Sequence, residues 1–281
     1  TVGAWIVYRW RSLRRSLAAF AWAELALALT VGVSLFFYEF LPYWFGRLAD
    51  LLARRPEAYS LYQGLQGLLC FAVMFVPTVC LGMTLPLVTR AATPSLERAG
   101  RTVGRVFAVN TVGTVLGAAL TGLVLMPRLG LAGTFVLGVA VNLLIGLVIV
   151  VRVERGAKRL IAIGASGLFV VFLAASTPFL ARYWQNALTL GVFRPRGLAT
   201  NWRDYHKGLQ EGKPLFYRDG AGATVSVHTG ENPETDFYLK VNAKTDASTL
   251  GDMTTQLLSG HLPLLLHPES TNVLVIGLGS G

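Results

Sequence analysis

Residues 58–89 read AYSLYQGLQGLLCFAVMFVPTVCLGMTLPLVT, 32 positions without a charged side chain, set between Glu57 and Arg90. A helix rises ~1.5 Å per residue, so crossing ~30 Å of hydrocarbon takes about 20 apolar residues. The stretch is long enough to cross once and too short to cross twice with a turn. Pro77 and Pro86 interrupt it, which predicts one long kinked helix. Four further apolar runs lie around it: residues 16–41, interrupted by Glu24 and closed by Glu39, then 106–127, 129–151 and 160–180. A single such run could be a buried helix of a soluble protein. Five in succession predict a transmembrane bundle over residues 16–180.

Composition and charge agree. Apolar residues make up 53% of the chain and charged ones 14%, against about 25% charged in a soluble domain. The formal net charge of +10 would suggest a nucleic-acid partner if it were spread over a groove. It is not: residues 1–180 hold 16 Lys+Arg and 6 Asp+Glu, and residues 181–281 hold 9 of each. The excess is clustered between apolar runs, as in membrane proteins, so no nucleic acid is expected. Twelve basic residues fall in the clusters 9–15, 90–105 and 152–159, and four (Arg47, Arg54, Arg55 and Arg128) fall in the opposite loops. That asymmetry puts the first set in the cytoplasm and, by parity, everything after the fifth span outside. Trp5, Trp10, Tyr43, Trp44, Tyr59 and Tyr62 lie near the expected boundaries, as an interfacial belt does. Cys70 and Cys80 are ten positions apart, about 15 Å along a helix, too far to bridge each other. The localisation expected is a multi-pass protein of the plasma membrane, with the lipid bilayer as a partner.

Two intramembrane features bear on function. Glu24 lies nine residues past Arg15, about 13 Å into the span, where an unpaired carboxylate costs several kcal/mol. One reading is a polar cavity for a cationic or protonated ligand, lined by Glu24 and Asn110 with Asn142, Gln63 or Gln66. The other is an interhelical hydrogen bond that fixes packing. The third run carries Gly113, Gly117, Ala118 and Gly122, which predicts close helix packing there.

Residues 1–15 read as the end of a preceding segment and a basic loop, and residues 181–214 as a linker. Residues 215–268 read as a small β-domain and helix: alternation over 224–229 and 236–242 with Gly230, Asn232 and Pro233 between them predicts a hairpin, and residues 249–265 predict a helix kinked or ended near Pro263. Residues 272–276 predict a short buried strand running into Gly277, Gly279 and Gly281, the glycine pattern of a nucleotide-binding α/β unit. The four histidines show no metal-ligand spacing, and no metal is expected.

The segment His261-Leu-Pro-Leu-Leu-Leu-His267-Pro268, followed by Val273-Leu-Val-Ile-Gly-Leu-Gly-Ser-Gly281, resembles the polyamine aminopropyltransferase (spermidine synthase) family. In that family a small β-domain and a helix bearing H-x-P-L lead into a methyltransferase-like Rossmann domain; the hairpin with Asn242-Ala243-Lys244 near its end is similar to that β-domain. Gly82-Met-Thr-Leu-Pro86-Leu and Gly104-Arg-Val-Phe-Ala-Val-Asn110-Thr-Val-Gly-Thr-Val-Leu-Gly117 resemble membrane proteins in which a major-facilitator-like half-bundle is fused to a spermidine-synthase-like domain. The resemblance implies aminopropyl transfer from decarboxylated S-adenosylmethionine to a polyamine, with Gly277, Gly279 and Gly281 at the donor and Gln256 able to hydrogen-bond the amine; Asp246 and Asp252 are nearby carboxylates that could compensate for the missing one, Asp252 reading otherwise as a helix cap. It also implies that the chain is part of a longer one: the family's general base lies well beyond the glycine motif, so no catalytic residue is named and the segment alone is expected to be inactive. Thr255-Gln256-Leu257 stands where the soluble enzymes carry Tyr-His-Glu or Tyr-Gln-Glu, without the aromatic wall or the carboxylate. Methyl transfer from S-adenosylmethionine, a non-catalytic adenosyl-binding domain, and a transporter or ligand-sensing bundle are the alternatives. A cytosolic donor also conflicts with a soluble domain counted to the outside.

Overall fold

The computed structural model describes residues 1–10, 15–53, 56–191, 201–211, 214–230 and 232–276. It is mostly helical, with one small antiparallel sheet. The helices are α1 (Val2–Arg9), α2 (Ser16–Ser34), α3 (Phe40–Leu48), α4 (Tyr59–Ala92), α5 (Ala99–Leu120), α6 (Met126–Val153), α7 (Ala157–Leu188), α8 (Trp202–Glu211) and α9 (Met253–Leu266). Strands β1 (Phe216–Asp219), β2 (Thr224–Thr229), β3 (Phe237–Val241) and β4 (Lys244–Ser248) lie between α8 and α9.

Four helical runs are long and apolar enough to cross a membrane: Ser16–Ser34, Pro56–Ala92, Ala99–Val153 and Ala157–Pro178. The expectation was five. The second is a single helix of 34 residues that stays helical through Pro77 and Pro86. The expected third and fourth runs form one continuous helical run of 55 residues, joined by a π-helical turn at Thr121–Leu125 and broken at Gly130, whose φ of 69° and ψ of 176° are not helical. That region of backbone space is essentially reserved for glycine. At ~1.5 Å per residue an unbroken run of this length would far exceed the bilayer; Gly130 interrupts it. The first run stops at Ser34 rather than residue 41, and the chain turns there before α3.

In lipid, apolar burial alone gives helices little reason to associate, and close packing of small residues replaces it. Ala21, Leu25 and Ala28 of α2 meet Val139, Leu143 and Val150 of α6, with Ala162, Phe169 and Leu173 of α7 completing the cluster. Gly146 sits so close to α2 that a Cβ there would lie 2.8 Å from the Leu25 side chain. Gly3 of α1 approaches α4 as closely: its Cβ would lie 2.8 Å from backbone atoms of Gly82 and Met83. The close packing expected at Gly113 and Gly117 is not found, since nothing lies within 4 Å of a Cβ at either position. The physical reason is that α5 has no buried residue among those described; no helix packs on that stripe. Several Ser and Thr hydroxyls of the apolar helices bond back to their own turn, as in Thr30 to Ala26 O at 2.7 Å and Thr78 to Met74 O at 2.7 Å, which keeps those hydroxyl protons from facing hydrocarbon.

The contacts at the helix ends define two poles. At one, Arg90 donates to Trp10 O at 2.9 Å and Arg15 pairs with the buried Glu154 at 3.6 Å. At the other, Trp184 Nε1 donates to Leu35 O at 2.9 Å, Tyr205 donates to Glu39 O at 3.1 Å, and His206 Nδ1 lies 2.7 Å from Glu39 Oε1. The β-domain attaches to this second pole. Lys240 donates to Thr189 O at 2.8 Å, and the Leu131 amide donates to Asp219 Oδ2 at 2.7 Å. Asp219 is buried and also accepts from Tyr217 at 2.8 Å and Thr224 at 2.7 Å. Its carboxylate therefore caps the helix leg that starts just past Gly130, where free amides favour an anion.

The sheet has the order β1-β2-β3-β4, all antiparallel, with Val227 opposite Leu239 and a bulge between Leu239 and Lys240. The expected hairpin is β2–β3; β1 and β4 flank it. The β3–β4 turn is Asn242-Ala243, with φ of 49° and 67°; left-handed values at both positions are those of the tight turn that suits strand twist. Two further expectations are corrected. Residues 181–214 are not a plain linker: α7 continues to Leu188, and α8 forms because Tyr205 and Leu209, one turn apart, are buried on one face. Residues 272–276 form no strand, and Leu274 and Ile276 are 84% and 90% exposed. A strand exists through its hydrogen-bonded neighbours, and among the described residues none of β1–β4 pairs with this segment. Gly277, Gly279 and Gly281 lie outside the described residues.

Candidate functional site

Two places gather the polar residues singled out in the sequence. The first is a cavity of ≈ 560 Å³ between α2, the second half of α4 and the first half of α5. Glu24 and Asn110 both line it; Asn142, Gln63 and Gln66 do not. The two glutamines donate instead to Tyr59 and Tyr62 on their own helix, each at 2.7 Å. Glu24 is only 7% exposed, and among the described residues no hydrogen bond or ion pair reaches its carboxylate. Arg101, Arg105, Thr84 and Thr102 share the wall, and the rest is apolar, from Phe20, Leu85 and Val109 among others. Arg101 and Arg105 are four residues apart on α5, so one face presents both.

The second is a groove of ≈ 770 Å³ between β3–β4, α9 and residues 273–276. Asp246, Thr255 and Gln256 line it with Leu239, Ala247 and Pro263. Asp246 is paired with Lys244 at 3.0 Å on an open surface. Gln256 donates to Ser248 O at 3.2 Å. Asp252 does not reach the groove: it stands at the N-cap of α9, and its carboxylate accepts from Ser248 Oγ at 2.9 Å while the Ser248 hydroxyl accepts from the Asp252 amide at 2.7 Å. The structure thus brings Asp246 and Gln256 together and keeps Asp252 apart as part of a local turn.

On the face of the sheet away from the groove, His228 stacks on Tyr238 with ring centroids 5.6 Å apart and lies 3.1 Å from Ser226 Oγ. Burial, then the charge of Lys240, pushes its pKa down to about 4; burial also lowers that of Lys240. At the junction with the helices, burial raises the Glu39 carboxyl above the usual carboxylate range, against the opposing effect of its bond to His206. Sequence reading missed Asp219, the Glu39–His206 pair and the second role of Arg101 and Arg105, which were read only as markers of membrane orientation. Only the last had a signal: they are four apart and precede Asn110 on one helix.

No protein-family model, curated protein or solved structure matches the chain.

Proposed function

We propose that this chain is the membrane-anchoring and amine-facing part of a spermidine synthase-like transferase, multi-pass in the plasma membrane. The observation that carries the reading is the groove. Asp246 and Gln256 line it beside residues 273–276, which lead to the glycine motif expected at the donor. A carboxylate and an amide oxygen are what an amine substrate requires, and the donor is decarboxylated S-adenosylmethionine or S-adenosylmethionine. Asp246 gives up its contact to Lys244 to receive the amine. No residue of this chain is assigned as the general base. The test is transfer of a radiolabelled aminopropyl or methyl group by the full-length protein in detergent. Transfer is expected, with Asp246→Asn raising KM for the amine and leaving kcat less changed. Absence of any transfer product overturns the reading.

A second reading, a ligand-sensing or transporting bundle with a non-catalytic β-domain, is favoured by two observations. The buried carboxylate of Glu24 faces a cavity without a partner among the described residues. The sheet also attaches at the pole opposite Arg15 and Arg90, which the charge rule puts away from the cytoplasm and its adenosyl donors. Saturable flux of a ligand without a transfer product supports this second reading.

A further inference from the structure

We propose that the cavity between α2, α4 and α5 binds a small zwitterion, an amine joined by a short chain to a phosphate or carboxylate, with the amine at Glu24 and the anion at Arg101 and Arg105. This gives the membrane-cavity reading above its ligand class, and it does not depend on transfer by the β-domain.

Glu24 is 7% exposed as a residue and its carboxylate, which reaches the cavity, is unpaired among the described residues; a carboxylate so placed in a low-dielectric setting is costly, by several kcal/mol. A cation delivered through the cavity removes that cost. A simple polyamine does not suit the same space, because its second charge meets two guanidiniums. A simple anion suits Arg101 and Arg105 but is repelled by Glu24. A molecule with both charges satisfies all three, and the Asn110 amide on the same wall offers a donor and an acceptor without charge. The volume of ≈ 560 Å³ lies within the ~300–1,000 Å³ typical of small-molecule sites.

Depth sets the orientation. Arg101 and Arg105 follow Arg98 by three and seven residues, about 5 and 10 Å of helix rise from the arginine-rich pole. Glu24 lies about 13 Å from that pole by the same measure. The amine therefore enters first and the anion remains toward the pole. This order fits a water-soluble zwitterion. A phospholipid headgroup carries the same chemistry but normally has its amine outermost.

The test uses the purified full chain in detergent, followed by tryptophan fluorescence on heating, with phosphoethanolamine, ethanolamine, inorganic phosphate and putrescine as separate probes. Phosphoethanolamine is expected to raise the Tm saturably and the other three are not. Glu24→Gln and Arg105→Gln are each expected to weaken that binding by about 10-fold or more, the loss of one charge-assisted contact. Without ligand, Glu24→Gln is expected to melt no lower than the wild type, because an unpaired buried charge has been removed. Nanodiscs of phosphatidylcholine with and without phosphatidylethanolamine separate the sources: a rise only with the ethanolamine lipid, sensitive to Glu24→Gln, assigns the zwitterion to a lipid. An equal response to putrescine or phosphate alone overturns the proposal. So does binding that survives Glu24→Gln, a lower melting point for unliganded Glu24→Gln, or no response to phosphoethanolamine in either form.

Discussion

Replacing Asp219 weakens the attachment of the sheet to the helices, which Lys240 also holds through Thr189 O, and the structure sets the size of the effect. The carboxylate accepts three hydrogen bonds, but only the one from the Leu131 amide crosses between the two parts; those from Tyr217 and Thr224 are internal to the β-domain. A bond to a charged acceptor contributes about 1.5–3 kcal/mol, and a negative charge at a helix start adds about 0.3–1 kcal/mol. Asp219→Ala should therefore shift attachment by about 2–4 kcal/mol, or roughly 30-fold to several-hundred-fold. Asp219→Asn can turn its oxygen to Leu131 and its amide to the two hydroxyls, so it should lose mainly the charge, about 1 kcal/mol. Gly122 supplies the assay: a Cβ there would lie 3.4 Å from the Ala221 Cβ, close to the ~3.5–4.5 Å separation of a disulfide. In a background without Cys70 and Cys80, Gly122→Cys with Ala221→Cys should cross-link readily. The rate should fall in the order Asp219, Asn, Ala. Equal rates in all three would refute the assignment of the carboxylate as the clasp.

Ala243 holds a left-handed φ of 67°, which costs a residue with a Cβ about 1–2 kcal/mol. Against the ~0.5–1 kcal/mol of added unfolded-chain freedom, Ala243→Gly should stabilise the β-domain by about 0.5–1 kcal/mol, read by chemical denaturation. For His228 the folded pKa is about 4 against an ordinary 6.5. The unfolded chain therefore takes up the proton first, and stability present above pH 6.5 is lost as pH falls toward about 4. His228→Phe keeps a ring against Tyr238 and should flatten melting temperature over that window. Gly3→Ala drives a Cβ into α4 backbone, 2.8 Å from Gly82, and should cost about 1–3 kcal/mol. Gly82→Ala meets a side-chain oxygen of Thr1 at 2.9 Å, which can rotate away, and should cost less; differential melting of the two variants decides.

The long apolar runs were legible because a membrane helix needs only composition and length, both visible in residues 58–89. The β2–β3 hairpin was legible through its alternation. Strand β4, KTDAS, has little of the β-branched or aromatic character that marks a strand, and its turn lacks the glycine that announces one. Helix α8 carries Gly208 and four charged side chains, so its apolar face of Tyr205 and Leu209 was hidden among polar neighbours. The Glu39–His206 contact and the Asp219 clasp join residues 167 and 88 positions apart, and no local pattern encodes such a pairing. The Val-rich stretch 273–276 failed in the opposite direction, since its composition promises a strand that requires pairing partners. Of the candidate residues, the grouping of Glu24 with Asn110 was readable, but the arginines facing them required the folded helices.

The break at Gly130 has a mechanical meaning. Because Asp219 grips the chain just past it while Ala221 lies beside Gly122 just before it, the sheet bridges the two sides of the joint. Since the leg of α6 beyond the joint packs on α2, which bears Glu24, a tilt of that helix pair would widen or narrow the seam between Gly122 and Ala221.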